Sequence, residues 1–169
     1  MTESIEPFTE PVFKPLRAFT DGRGYSYFNI FGEPSSGQIN IGHLNQGSVK
    51  AFHYHKKQKD LWHPVKGNIH VVCFAPKNLD QYLTNDLTEQ NCFIKHFYIG
   101  ETNPGVLTIP IAWCHGYKNV NCAESTLLYW VTKTYDPADP DEARVPWDVF
   151  GKNFWEVEKE SETAEQKSL

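Results

Sequence analysis

Turn-forming residues interrupt this chain at short, regular intervals, and that spacing leaves room for little except short strands. The interruptions are Asp21-Gly22 with Gly24, Ser35-Ser36-Gly37, Asn45-Gln46-Gly47, Lys66-Gly67, Asn103-Pro104-Gly105 and Asp136-Pro137. Between them lie stretches rich in aromatic and β-branched residues, at 25–31, 38–41, 68–74 and 106–109. Helical periodicity is nearly absent, and residues 78–87 could supply one or two turns at most. Closely spaced strands of this kind predict an all-β, antiparallel sandwich or barrel from about Pro11 to Trp147.

A length of 169 residues suits a single core. There is no internal repeat or low-complexity linker, so residues 1–155 read as one domain. After Trp155 the chain turns charged and polar, and 156–169 reads as a frayed or disordered tail. Sixteen basic against twenty-one acidic side chains leave a net charge of −5, which disfavours nucleic acid or an anionic membrane as a partner. No apolar run approaches a membrane span, and Met1-Thr2-Glu3-Ser4 does not begin a secretory signal. Cys73, Cys92, Cys114 and Cys122 lack C-x-x-C spacing and are expected as reduced, mostly buried thiols. These features together predict a cytoplasmic protein.

The densest chemistry lies in Phe52-His53-Tyr54-His55 and the following residues to Asp60. On a strand, residues i and i+2 share a face, so His53 and His55 project together. An exposed histidine pair is often no more than polar decoration, but here the flanking residues add to it. Gly47 lies six residues before His53, Asp60 five after His55, and Gly67 seven after Asp60. That spacing resembles the first motif of the cupin superfamily, with Asp60 where cupins carry Glu. Pro110 through His115 to Asn119 resembles the second cupin motif, with Ala112 in place of Gly. The resemblance implies a jelly-roll barrel of antiparallel strands with its pocket at the barrel mouth.

Within the cupins, the chain resembles the dTDP-4-dehydrorhamnose 3,5-epimerase family. Phe19 to Tyr25 is similar to its F-x-D-x-R-G-F opening, Gln38-Ile39-Asn40 to its Q-x-N strand, and Ala51-Phe52-His53-Tyr54 to its G-L-H-Y. Ile109-Pro110 through His115-Gly116-Tyr117 mirrors I-P-x-G-x-A-H-G-F, and Leu128-Tyr129, Tyr135-Asp136-Pro137 and Trp147-Asp148 stand where its late signals fall.

The resemblance implies a cofactor-free isomerase acting on a dTDP-4-keto-6-deoxyhexose in deoxysugar or polysaccharide biosynthesis. His53 would abstract the proton beside the ketone, and Tyr135 would reprotonate from the opposite face. Arg23 would hold the diphosphate, Gln38 and Asn40 the nucleotide, and His115 would line the sugar pocket. Lys50 would keep the charge of a family arginine. The plainer role for Tyr135 is a packed corner tyrosine. A homodimer is expected, since members of the family pair by sheet extension.

Some positions depart from the family. Asp60 falls where its lysine steadies the enolate oxygen, His55 replaces Gln, Phe28 replaces an acidic residue, and the carboxylate-bearing C-terminal stretch that pairs with the base is absent. Slow exchange at one carbon, C3, is the expected consequence. The same departures create an alternative, because His53, His55, Asp60 and His115 together resemble the ligand set of metal-binding cupins and would suit one divalent transition metal. His53-Tyr54-His55-Lys56 is also similar to the H-A-H-K of sugar 3,4-ketoisomerases, and a non-catalytic sugar-binding cupin is a further alternative.

Overall fold

A computed structural model describes residues 9–120 and 122–156 of the chain. Among these residues the strand pairings are all antiparallel, in two five-stranded sheets and one two-stranded ribbon. The first sheet runs in the order β1 (Val12–Pro15), β9 (Gly105–Ile109), β6 (Asp60–Lys66), β11 (Glu124–Val131) and β4 (Gln38–Asn45). The second runs β12 (Ala143–Arg144), β5 (Val49–Tyr54), β10 (Cys114–Asn119), β7 (Asn68–Pro76) and β8 (Cys92–Gly100). The ribbon pairs β2 (Phe19–Asp21) with β3 (Gly24–Ser26).

This is the predicted all-β jelly roll, and the one α-helical turn among the described residues, α1 (Gln81–Thr84), falls within the stretch that left room for it. No helix among the described residues is long and apolar enough to cross a membrane. The expected tail lies outside the described residues from position 157 onward. Residues 25–31 differ from expectation, because strand geometry ends at Ser26. Asn29 takes a left-handed φ of 49° and its carbonyl receives the Gly32 N–H at 3.1 Å, so the aromatic run ends in a turn instead of extending.

Two apolar clusters sandwich the second sheet. Trp62, Ile69, Val71, Cys73, Leu107, Ile109, Trp113 and Leu127 fill the space between the sheets. Phe52, Tyr54, Val72, Phe74, Cys114, Val145 and Trp155 form a second layer on the outer face. Strand β7 therefore has both faces covered, with Val71 and Cys73 inward and Val72 and Phe74 outward, and its sequence reads as an unbroken apolar run. The outer layer is closed by a 3-10 turn at Lys152–Trp155, whose Trp155 ring stacks on Phe52 at 5.0 Å. Cys73, Cys92 and Cys114 are buried and Cys122 is half-buried, all as free thiols.

The chain passes from the first sheet to the second at Gly67, between β6 and β7. Its φ of 70° needs a residue without a Cβ penalty, and an added Cβ would meet the Glu124 carbonyl oxygen at 2.5 Å.

A second histidine pair sits beneath the outer layer. His70 stacks on Tyr98 at 4.4 Å, its Nε2 lies 2.9 Å from His96 Nδ1, and the Trp155 ring meets it edge-on at 5.7 Å. Burial first, then the neighbouring His96 and Lys118, push His70 from 6.5 down to about 4. The unfolded chain thus takes up a proton below pH 6.5 that the native chain refuses until about pH 4. Folding stability should fall by roughly 2 kcal/mol across that window from this group alone. Denaturant melts at pH 7 and pH 4.5 should show His70→Gln losing less stability on acidification than the unmodified chain; parallel pH profiles would refute the assignment.

Candidate functional site

The site forms where three strands converge at one end of the barrel. His53 projects from β5, Asp60 begins β6, and His115 follows the first residue of β10. Strands β5 and β10 pair His53 with His115 but Lys50 with Tyr117, so β5 carries one extra residue between them. The resulting bulge sets where His53 points. It depends on close approach at Gly116, where a Cβ would sit 2.3 Å from that of Ala51. His55 lies just beyond β5, and its carbonyl accepts the Ala112 N–H at 2.7 Å, tying the end of β5 to the turn before β10.

One nitrogen, oxygen or equivalent ligand atom from each of His53, His55, Asp60 and His115 lies within 4.8 Å of the others. His115 Nε2 is 3.6 Å from Asp60 Oδ2, and His55 Nε2 is 3.9 Å from Asp60 Oδ1. Backbone carbonyls select the tautomers: His115 Nδ1–H donates to Trp113 O at 2.9 Å, and His55 Nδ1–H donates to Asp141 O. Both Nε2 lone pairs are thereby turned inward. His115 Nε2 is buried and has no hydrogen-bond partner, while Asp60 is only 2% exposed.

Gln58 Nε2 and Trp62 Nε1 donate to the two Asp60 oxygens at 3.0 and 3.1 Å. Burial by itself would raise the Asp60 carboxyl, but the adjacent His115 and His55 and the Trp62 N–H outweigh it and hold the group down to about 2. Burial, then the neighbouring His115 and His55, depress His53 to about 2 as well. His53 is therefore a neutral imidazole beside an ionised carboxylate across the whole physiological range. The unpartnered inward lone pair on His115, the matching tautomer of His55 and the nearby carboxylate oxygens fit a divalent cation of imidazole-and-carboxylate preference.

These groups open onto a cleft of about 340 Å³ whose lining includes His53, His55, Asp60, Gln38, Asn40 and Tyr135. The first strand of its wall, β4, contributes the two amides. Gln38 is spoken for on both sides: its Oε1 accepts the Tyr135 N–H at 2.8 Å and its Nε2 donates to Asn40 Oδ1 at 2.8 Å. A family model described as the polysaccharide biosynthesis C-terminal domain matches residues 19–143, which spans both histidine segments and the cleft wall.

The chain belongs to that polysaccharide biosynthesis C-terminal domain family. It is 38% identical over 124 residues to the spore coat polysaccharide biosynthesis protein SpsL of Bacillus subtilis, covering 72% of this chain and 76% of that protein. It is 35% identical over 103 residues to the probable low-salt glycan biosynthesis epimerase Agl13 of Haloferax volcanii, covering 60% of this chain and 61% of that one. The solved dTDP-4-dehydrorhamnose 3,5-epimerase from Sulfolobus tokodaii shares its fold at a TM-score of 0.66 and 20% identity, covering 90% of this chain and 85% of that chain.

For this family member, the structure gathers most of the residues that the sequence singled out, but not all. His53, His55, Asp60, Gln38, Asn40 and Tyr135 line one cleft, with His115 directly behind His53 at a ring separation of 4.3 Å. Arg23 and Lys50 are not brought to it, since neither lines the cleft of its own chain. Arg23 sits on the exposed ribbon, paired with Asp21 at 2.5 Å. Lys50 lies beyond the β5 bulge and donates to the His43 carbonyl at 2.7 Å.

Tyr135 is 63% exposed, so the packed-corner reading does not hold. Gln58, Trp62 and Asp141 are site residues that the sequence reading did not single out. For Gln58 and Trp62 a signal was available: each lies two residues from Asp60, on the same side of an extended chain.

Ala112 occupies the glycine position of the second motif with φ 63°, a left-handed conformation that costs a β-carbon roughly 1 kcal/mol. Ala112→Gly should therefore stabilise the fold by up to about 1 kcal/mol, less what glycine's freer unfolded chain gives back. Chemical denaturation checks the sign, and a destabilised variant would contradict the reading.

Proposed function

We propose that the chain is a nucleotide-sugar epimerase, an isomerase that inverts a carbon beside the ketone of a dTDP-linked 4-keto-6-deoxyhexose during polysaccharide biosynthesis. The observation that carries this is the shared cleft of His53 and Tyr135, one contributed by β5 and the other by the segment after β11. The sugar would lie between them. His53, neutral because burial and its histidine neighbours hold it so, accepts the proton from the carbon next to the ketone. The electron pair moves onto the ketone oxygen to give an enolate. Tyr135 returns a proton to that carbon from the other face, and the carbonyl re-forms. A cytoplasmic location accords with the free thiols.

A second reading is favoured by the unpartnered, inward-facing Nε2 of His115. In it His53, His55, Asp60 and His115 hold one divalent transition metal, which when bound would polarise the ketone and offset the absent enolate-stabilising lysine. His53 would then be a ligand and no longer a free base. The cleft wall carries four acidic side chains, at 136, 139, 141 and 142, against the lysines Lys57 and Lys133, and Lys57 pairs with Asp139.

In heavy water, the wild-type protein should incorporate deuterium at C3 of dTDP-4-keto-6-deoxyglucose. His53→Asn should abolish that exchange. Tyr135→Phe should retain exchange but lose inverted product, by about 100-fold or more for loss of an acid. Elemental analysis of untagged protein separates the two readings: a stoichiometric transition metal, lost in His55→Ala, supports the ligand role of His53, and its absence supports the free base. No exchange from the wild type, with or without added metal, would overturn the epimerase.

We further propose a homodimer in which the ribbon of one protomer supplies Arg23 to the cleft of its partner. The ribbon joins neither sheet of its own barrel, and Phe19, Tyr25 and Phe28 on or beside it are more than 60% exposed. Arg23 is the planar, bidentate cation that a diphosphate needs. Light scattering should give the mass of two chains, and Arg23→Ala should weaken dTDP binding while leaving that mass unchanged. A monomer would refute the arrangement.

A further inference from the structure

The cleft has one wall with no strand in it, the segment from Thr134 to Glu142, and near its end Asp141 gathers an unusual number of contacts. Its carboxylate accepts three consecutive backbone N–H groups, those of Lys56 and Lys57 at 2.9 and 2.8 Å and of Gln58 at 3.0 Å. Its own backbone carbonyl accepts the His55 Nδ1–H. Residues 56–58 are three of the four that separate His55 from Asp60, so this clamp shapes the connection between two members of the site. Gln58, the third donor of the clamp, also holds Asp60 Oδ1 through its side-chain amide at 3.0 Å.

We infer that Asp141 is a positioning residue for the three-imidazole, one-carboxylate set. By anchoring the 56–58 loop it keeps its own carbonyl on His55 Nδ1, which fixes His55 in the Nδ1–H tautomer with the Nε2 lone pair facing Asp60. By the same anchor it orients Gln58 toward the carboxylate. The neighbouring acids do other work: Asp139 pairs with the Lys57 side chain, and Asp136 takes the Ala138 N–H at 2.9 Å within its own turn. A carboxylate held by three backbone N–H groups is a strong, charge-assisted anchor. Supports behind a metal ligand of this kind typically alter affinity 10- to 100-fold when removed. The inference rests on the geometry of the site and, for its metal readout, on the second reading above; the tautomer readout is independent of both substrate and metal.

The test uses full-length, nitrogen-labelled protein and the long-range proton–nitrogen spectrum of its imidazoles. In the wild type, His55 should show a protonated Nδ1 and an unprotonated Nε2. Asp141→Ala should convert His55 to a mixture of tautomers and lower the affinity for added cobalt(II) 10- to 100-fold, while His115, held by Trp113, keeps its tautomer. Asp141→Glu should restore part of the wild-type signature, and Asp139→Asn should leave it unchanged. If the alanine variant does not fold, Asp141→Asn, which keeps the volume and loses the anionic acceptor, carries the same expectation. A folded Asp141 variant with the wild-type His55 tautomer would overturn the inference. If the wild type binds no cobalt, the metal reading fails, and the tautomer result still decides the role of Asp141.

Discussion

A carboxylate buried inside an apolar barrel has to be matched, and the matching of Asp60 organises this end of the molecule. An isolated charge there would cost several kcal/mol, so the chain surrounds it with donors and imidazoles. Gln58 and Trp62, two residues to either side, reach its two oxygens. His55 and His115 approach from the opposite sheet with their lone pairs turned inward. The ionised state follows from this company: burial works against it, and the neighbouring histidines and the indole N–H prevail.

That constraint reaches outward into the fold. For His115 to face Asp60 it must stand at the start of β10, which requires the Ala112 turn and its bond to the His55 carbonyl. For His53 to join them, β5 must bulge against β10, and Gly116 is the residue that lets the two backbones approach. The apolar layers on both faces of the second sheet keep these strands from adjusting independently. The chemistry is thus mounted on the buried part of the barrel, while Tyr135 and the ribbon with Arg23 are exposed.

The same burial gives His53 its chemical character. Held neutral, it always has a lone pair to offer, but so low a proton affinity makes it a weak acceptor unless the acid it attacks is strengthened. In the proposed epimerase the substrate ketone would therefore have to be polarised, and Asp60 stands where the 3,5-epimerase family that the sequence resembles carries its lysine. A site with three imidazoles and a carboxylate can meet that demand through a cation. It can also do so through the substrate's own contacts to Tyr135 and the Asn40 amide, which retains free donors after Gln38 has taken its oxygen.

Much of this was legible in the linear chain. The turn spacing specified short antiparallel strands, because Gly, Pro and Asn punctuate a backbone locally. The alternation along His53 and His55 placed them on one face for an equally local reason, the two-residue period of a strand. Arg23, Lys50, Gln58 and Asp141 were decided elsewhere. Which carbonyl takes the Lys50 ammonium, whether a ribbon joins its own barrel's sheets, and which distant carbonyl selects a histidine tautomer all depend on contacts between residues far apart in sequence. Residue type and spacing determined which groups could do chemistry here; only the closing of the two sheets determined which of them face Asp60, because a buried charge is answered by whatever the fold brings within a few ångströms of it.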